Sequence, residues 1–130
     1  MTNSMKKTVK IYEYKNCSTC KSALKYLDAK GITYEKHPIV EQPPTPAELR
    51  QMLSHIKSEG QTFKKLFNTS GELYRELKIS EKIEAGMTEA EAIQLLSKNG
   101  KLIKRPFLLT SKGGITGFKP DAWDRLLQNI

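Results

Sequence analysis

The chain has 130 residues, 38% hydrophobic and 28% charged, which fits one globular domain with an ordinary core and excludes general disorder. Its apolar runs are too short for a transmembrane helix, and none long enough for a secretory signal follows the lysines between Met1 and Lys10. Lys plus Arg number 22 against 14 Asp plus Glu, a net charge of +8 that favours anionic partners without naming one.

Residues 1–8 are expected to be a flexible N-terminus, with Thr2-Asn3-Ser4 ahead of a second methionine, Met5, reading as appended sequence outside the fold. The alternation of Val9 to Tyr14 predicts a first strand. Lys15 and Asn16 turn the chain into a helix from Ser18 or Thr19 to Lys30, with Cys20, Ala23, Leu24 and Leu27 on one face and Gly31 as its stop. Ile32 to Lys36 predicts the second strand, closed or bent by His37-Pro38, and makes a β-α-β unit with a parallel pair.

After the stiff turn Gln42-Pro43-Pro44, Thr45-Pro46-Ala47-Glu48 combines a hydroxyl cap, a first-position proline and a glutamate that returns to the cap amide. The helix it opens has Leu49, Met52, Leu53 and Ile56 as its buried stripe. Phe63 to Phe67 predicts a short helical turn broken at Asn68-Thr69-Ser70-Gly71. Leu73, Tyr74 and Leu77 start another helix, and Ile83 to Met87 reads as a loop. A second capping box, Thr88 to Glu91, opens a helix with Ala92, Leu95 and Leu96 inside, ended by Asn99-Gly100.

Leu102 to Lys104 predicts a strand running into Arg105-Pro106, with Phe107 to Thr110 continuing extended. Ser111-Lys112-Gly113-Gly114 reads as a turn, Ile115 to Phe118 as a short edge strand, and Pro120 as the start of a last helix burying Trp123, Leu126, Leu127 and Ile130. The fold class is therefore α/β: a mixed sheet with a helical insertion, at about 45–100, between β-α-β and β-β-α halves, in a single domain over 9–130. Its expected core includes Ile11, Ala23, Leu24, Leu27, Leu95, Leu108, Trp123 and Leu126.

Both cysteines lie in Asn16-Cys17-Ser18-Thr19-Cys20-Lys21. No metal is expected, because His37 and His55 do not stand at an ordered spacing from the pair. A disulfide across so short a span closes almost no loop, so its entropic contribution to stability is small. Two buried small hydrophobes are the bland alternative. The context of strand end, tight turn and helix start instead favours dithiol redox work. Helix amides and the dipole stabilise an anion at Cys17, making it the attacking sulfur, while Cys20, one turn inside, resolves the mixed disulfide. Lys15 and Lys21 add positive charge, and Asn16, Ser18, Thr19, Arg75 and Lys119 are candidate substrate- or anion-binding residues.

Pro106 lies between two extended segments, where a trans proline loses a ladder bond and a cis bond gives a tight bend. Arg105 before it carries a fork of donors suited to an oxyanion, a thiolate or a surface carboxylate.

Together, the stretches Tyr12 to Lys21, Leu66 to Arg75, Asn99 to Leu108 and Gly117 to Pro120 resemble the arsenate reductase-like group related to glutaredoxin, which includes the Spx/MgsR type of redox regulator. The resemblance implies a thioredoxin-like fold, Cys17 at the start of the first helix and a cis Pro106 facing it across the site. In the arsenate reductases of this group, a cysteine at the Cys17 position attacks arsenate, and three arginines support the oxyanion. Arg105 matches one; Ser70, with Arg75 close by, and Phe118, with Lys119 beside it, stand at the other two positions. The cysteine pair is closer to the Spx type, in which a dithiol switch accompanies RNA polymerase binding.

The expected function is that of a thiol-disulfide oxidoreductase-like protein with Cys17, Cys20, Arg105 and Pro106 at its centre. The alternatives are an RNA polymerase-binding redox regulator and a glutathione- or glutaredoxin-dependent arsenate reductase. No bound cofactor is expected; glutathione, glutaredoxin or thioredoxin would be the reductant, and a redox protein or small thiol the partner. Direct nucleic-acid binding is disfavoured by the absence of a recognisable binding motif. Cytoplasmic residence is the expectation from the missing signal and the isolated CxxC.

Overall fold

Strand β1 (Val9–Glu13) runs through the middle of the molecule, and its two faces carry different chemistry. Val9 and Ile11 point to one side and join Ala23, Leu27, Leu108, Trp123 and Leu127 in one core; Tyr12 points to the other. The computed structural model describes residues 9–128, so the expected N-terminus 1–8 and the burial of Ile130 lie outside the described residues.

From β1 the chain enters helix α1 (Ser18–Ala29), returns as β2 (Tyr34–Pro38), and then builds α2 (Pro46–Ser58), α3 (Glu72–Glu76), α4 (Ile79–Glu84) and α5 (Glu89–Lys98). It closes with β3 (Phe107–Thr110), β4 (Gly113–Thr116) and α6 (Pro120–Leu127). The sheet order is β2-β1-β3-β4, with β1 and β2 parallel and the other pairs antiparallel. This is the thioredoxin-like arrangement with helices inserted between β2 and β3. Helices α1 and α6 cover the Val9 face, whereas α2, α4 and α5 supply Leu49, Met52, Ile79, Ile93 and Leu96 to the core on the Tyr12 face.

Local chemistry explains the helix starts. Thr45 and Glu48 form a reciprocal capping box with proline in the first turn, and Thr88 and Glu91 form the second. Gly31, at φ +68°, ends the segment after α1 in a conformation that a side chain disfavours.

Several boundaries differ from expectation. The second strand spans Tyr34–Pro38 because β2 is an edge strand, where Pro38 loses no inward ladder bond. Leu102 to Lys104 is not a strand: Gly100–Leu102 is a 3-10 turn, and Ile103 makes one isolated bridge to Phe67. The hairpin also turns earlier. The Thr110 hydroxyl accepts the Lys112 and Gly113 N–H groups, each at 3.0 Å, so Ser111-Lys112 suffices as the turn and β4 begins at Gly113. Helix α4 was not expected as a separate element. Lys78, at φ 53°, breaks the chain after α3 and lets Ile79 turn inward. Of the expected core, Leu24, Leu95 and Leu126 are only partly buried.

Candidate dithiol site

A tight turn leaves β1: the Cys17 N–H donates to the Tyr14 carbonyl at 3.0 Å, which places Cys17 as the N-cap of α1. Its Sγ accepts the Cys20 amide N–H at 3.2 Å, the role usually taken by a serine or aspartate oxygen. Both sulfurs are unbridged; Cys17 is half-buried and Cys20 is fully buried. Burial pushes the Cys20 thiol up to about 12, reinforced by its hydrogen bond to Cys17 and opposed by a backbone hydrogen bond from Tyr14. Cys20 is therefore a neutral thiol near pH 7, whereas Cys17 presents the accessible sulfur.

A cavity of about 580 Å3 opens on Cys17. Asn16, Ser18 and Thr19 line it from the mouth of α1, and Asn68 and Ser70 from the loop before α3. Lys104, Arg105 and Lys119 bring positive charge, and no carboxylate belongs to the lining. The Arg105-Pro106 bond is cis. The Arg105 guanidinium lies 4.6 Å from the centroid of the Tyr14 ring, and its Nη1 donates to the Lys101 carbonyl at 3.4 Å. Its charge thus rests at the cavity wall.

Pro106 is buried, and its carbonyl accepts the Gly117 N–H at 2.8 Å. Trp123 Nε1 donates to the Gly117 carbonyl at 2.9 Å, and Phe118 packs edge-on to Trp123 and Tyr26. These contacts hold Phe118 as an apolar wall of the cavity.

Of the expected site residues, Asn16, Cys17, Ser18, Thr19, Arg105 and Lys119 meet in the lining, the buried Cys20 joins Cys17 through its amide, and Pro106, Lys15 and Arg75 stand outside the lining. Lys15 is exposed outside the lining, and Arg75 turns back so that its Nη1 donates to the Ser70 carbonyl at 3.0 Å. Arg75 therefore shapes the Asn68–Gly71 loop. Conversely, Tyr14, Asn68, Lys104 and Thr116 line the cavity without having been singled out individually; their signal was membership in the motif stretches around Cys17, Gly71 and Pro106 for all but Thr116. Among the described residues no group of three or more His, Cys, Asp or Glu is placed to hold a metal, and no helix is long and apolar enough to cross a membrane.

Residues 12–126 match the model of the ArsC family. The chain belongs to the ArsC family. Its similarity to the Bacillus subtilis (strain 168) protein YusI is 40% identity over 113 residues, covering 87% of this chain and 92% of that protein. A crystal structure of an ArsC-family-related protein from Bacteroides fragilis superposes with a TM-score of 0.80 at 44% identity, covering 95% of this chain and 99% of that one. The regulatory protein MgsR of Bacillus subtilis (strain 168) is 28% identical over 116 residues, covering 89% of this chain and 87% of its own. ArsC-family membership accounts for the thioredoxin-like sheet with helical insertions, and the CxxC-spaced pair on that fold marks a redox-active thiol protein.

Proposed function

We infer that the protein is a thiol-disulfide oxidoreductase whose working groups are Cys17 and Cys20, with Arg105 and the cis Pro106 shaping the site. The observation that carries this reading is the inequality of the two sulfurs: one reachable at a helix N-terminus, the other buried beneath it with its thiol pushed up to about 12. Cys17, as thiolate, attacks one sulfur of a substrate disulfide; the Cys17–substrate bond forms, the substrate S–S bond breaks, and the first thiol leaves. Cys20 then loses its proton to the departing sulfur and attacks Cys17 Sγ, closing the intramolecular disulfide and releasing the second thiol. The protein gives up two electrons, and glutathione, glutaredoxin or thioredoxin returns them.

The high proton affinity of Cys20 suits this order, because that thiol stays silent until its neighbour is engaged. Alkylation followed by peptide mass spectrometry tests it. At neutral pH Cys17 should be modified first, and mild oxidation should give the Cys17–Cys20 disulfide. Cys17→Ser should lose the first step, and Cys20→Ser should retain it and accumulate mixed disulfides. Faster labelling of Cys20 than of Cys17 would overturn the reading.

Similarity to the regulatory protein MgsR and to the global transcriptional regulator Spx of Streptococcus mutans favours a second reading, a redox switch whose oxidation alters affinity for a transcription partner such as RNA polymerase. Multiple turnovers with a thiol reductant support the enzyme; a partner affinity that changes with oxidation, without turnover, supports the switch.

A further inference from the structure

The thiol cavity does not end at Arg105. A second cavity of about 290 Å3 adjoins it, and Tyr14, Asn68, Gly71 and Arg105 line both. Their chemistry differs. The lining around Cys17 holds Lys104, Arg105 and Lys119 and no acid, whereas the lining of the neighbouring cavity adds Glu72 and Glu76 to Lys101 and Arg105. Glu72 and Glu76 stand one helical turn apart on α3, so both can address the same space. Among the described residues, none of Glu72, Glu76, Lys104 and Lys119 takes part in an ion pair.

We propose that the two cavities form one substrate trough that reads charge on either side of a peptidic cysteine: a carboxylate beside the sulfur, against Lys104 and Lys119, and a basic group further along, against Glu72 and Glu76. This rests on the dithiol reading of Cys17 and Cys20. Size points the same way. The first cavity alone falls in the range of about 300–1,000 Å3 typical of sites for organic ligands; a tetrahedral oxyanion fills only a small part of it. The Phe118 ring adds an apolar wall that suits a side chain or peptide backbone and offers an anion nothing.

The probes are short peptides with one cysteine, each carried as its mixed disulfide with thionitrobenzoate and differing only in flanking charge. Cys17 attacks the peptide sulfur and expels the coloured thiolate; Cys20 then attacks Cys17 and frees the peptide thiol, so the protein dithiol is oxidised and the probe reduced. Peptides with an acid on one side and a lysine on the other, made in both orders, should react about three- to tenfold faster in one order than a neutral or all-basic peptide, the size expected for exposed charge pairs. The contrast should collapse at about 1 M salt, where the screening length is about 3 Å.

In the Glu72→Lys, Glu76→Lys double variant the ratio of the lysine-bearing probe's rate to the neutral probe's should fall to about one or below. Glu76→Gln should give an intermediate loss, which guards against misfolding of the double variant. A small zwitterionic thiol and a protein segment present the same chemistry. Glutathione disulfide and a carrier protein bearing the preferred sequence in a loop separate those sources, and slowing of either by the double variant supports the trough. Equal rates for all probes would overturn the charge reading while leaving the dithiol chemistry standing. No release from any probe would overturn both.

Discussion

Phe118 lies with its ring 4.9 Å from Trp123 and 5.5 Å from Tyr26 between centroids, so the cavity wall that it forms has no donor to offer a doubly charged oxyanion. Ser70 brings only a short neutral hydroxyl, and Arg75 spends its guanidinium on the Ser70 carbonyl. Arg105 is the one arginine in the lining, so weak bidentate recognition of arsenate is the expectation. Purified protein assayed with arsenate, glutathione and glutaredoxin is expected to show weak turnover or none; robust Cys17-dependent reduction at low arsenate would show that Lys104 and Lys119 replace the missing forks. Another single position has a structural consequence. A Cβ on Gly100 would sit 1.9 Å from the Ile39 carbonyl oxygen and 2.8 Å from its carbon, both backbone atoms that cannot swing aside. Gly100→Ala should destabilise the fold by about 2–3 kcal/mol in urea titration, and a change below about 0.5 kcal/mol would refute the close approach.

Between elements, Glu48 binds α2 to the central strand. Its carboxylate accepts from Lys10 Nζ at 2.9 Å, the Tyr12 hydroxyl at 2.7 Å and the Thr45 N–H at 3.0 Å. Burial works to raise its pKa, but the Lys10 ammonium, the Thr45 amide and the Tyr12 hydroxyl outweigh it and hold the carboxyl below its ordinary 4.5. The stabilisation is therefore complete above the ordinary carboxylate range and is lost as pH falls through the lower folded-state value, where Glu48 takes up its proton. Glu48→Gln should remove this part of the acid sensitivity, and Glu48→Ala should cost about 1–3 kcal/mol at pH 7 through the lost cap and the stranded hydroxyl. Denaturation curves of wild type and Glu48→Gln that stay parallel from pH 7 to pH 3 would refute the assignment.

The legible elements were those whose ends carry their own chemistry, as at Thr45-Pro46-Glu48 and Thr88-Glu91. The misread ones depend on distant partners or local exceptions. Gly100–Leu102 is a turn pressed against the Ile39 backbone, the β4 register is fixed by one Thr110 hydroxyl, and α4 exists because Lys78 adopts a positive φ. The site divides in the same way. The CxxC pair at a strand-to-helix turn and the Arg-Pro pair can be read locally. That Arg105 rests on Tyr14 and that Lys104 and Phe118 converge on Cys17 is decided by the sheet register, which sets Phe107 opposite both Tyr12 and Thr116 and so brings the entry to β3 and the exit from β4 to the end of β1.

Across the whole molecule, the sheet separates two cores that share β1 and β3, with Ile11 and Leu108 on one side and Tyr12, Phe107 and Leu109 on the other. Helices α3 and α4 are attached less deeply: α3 buries no residue fully, and α4 buries only Ile79. Native-state hydrogen exchange should find the amides of Glu72 to Glu84 opening at lower free energy than those of Ile11 and Leu108. Equal protection in both regions would mean that the insertion is part of one cooperative unit.

The single tryptophan of the chain gives this architecture an optical readout. Trp123 is fully buried, touches Phe118 edge-on and grips the Gly117 carbonyl through its indole N–H. Intrinsic fluorescence therefore originates behind one wall of the thiol cavity. A substrate that presses on Phe118 or loosens Gly117 should change the emission intensity or wavelength, so a stopped-flow trace can time the arrival of substrate without any label on the protein.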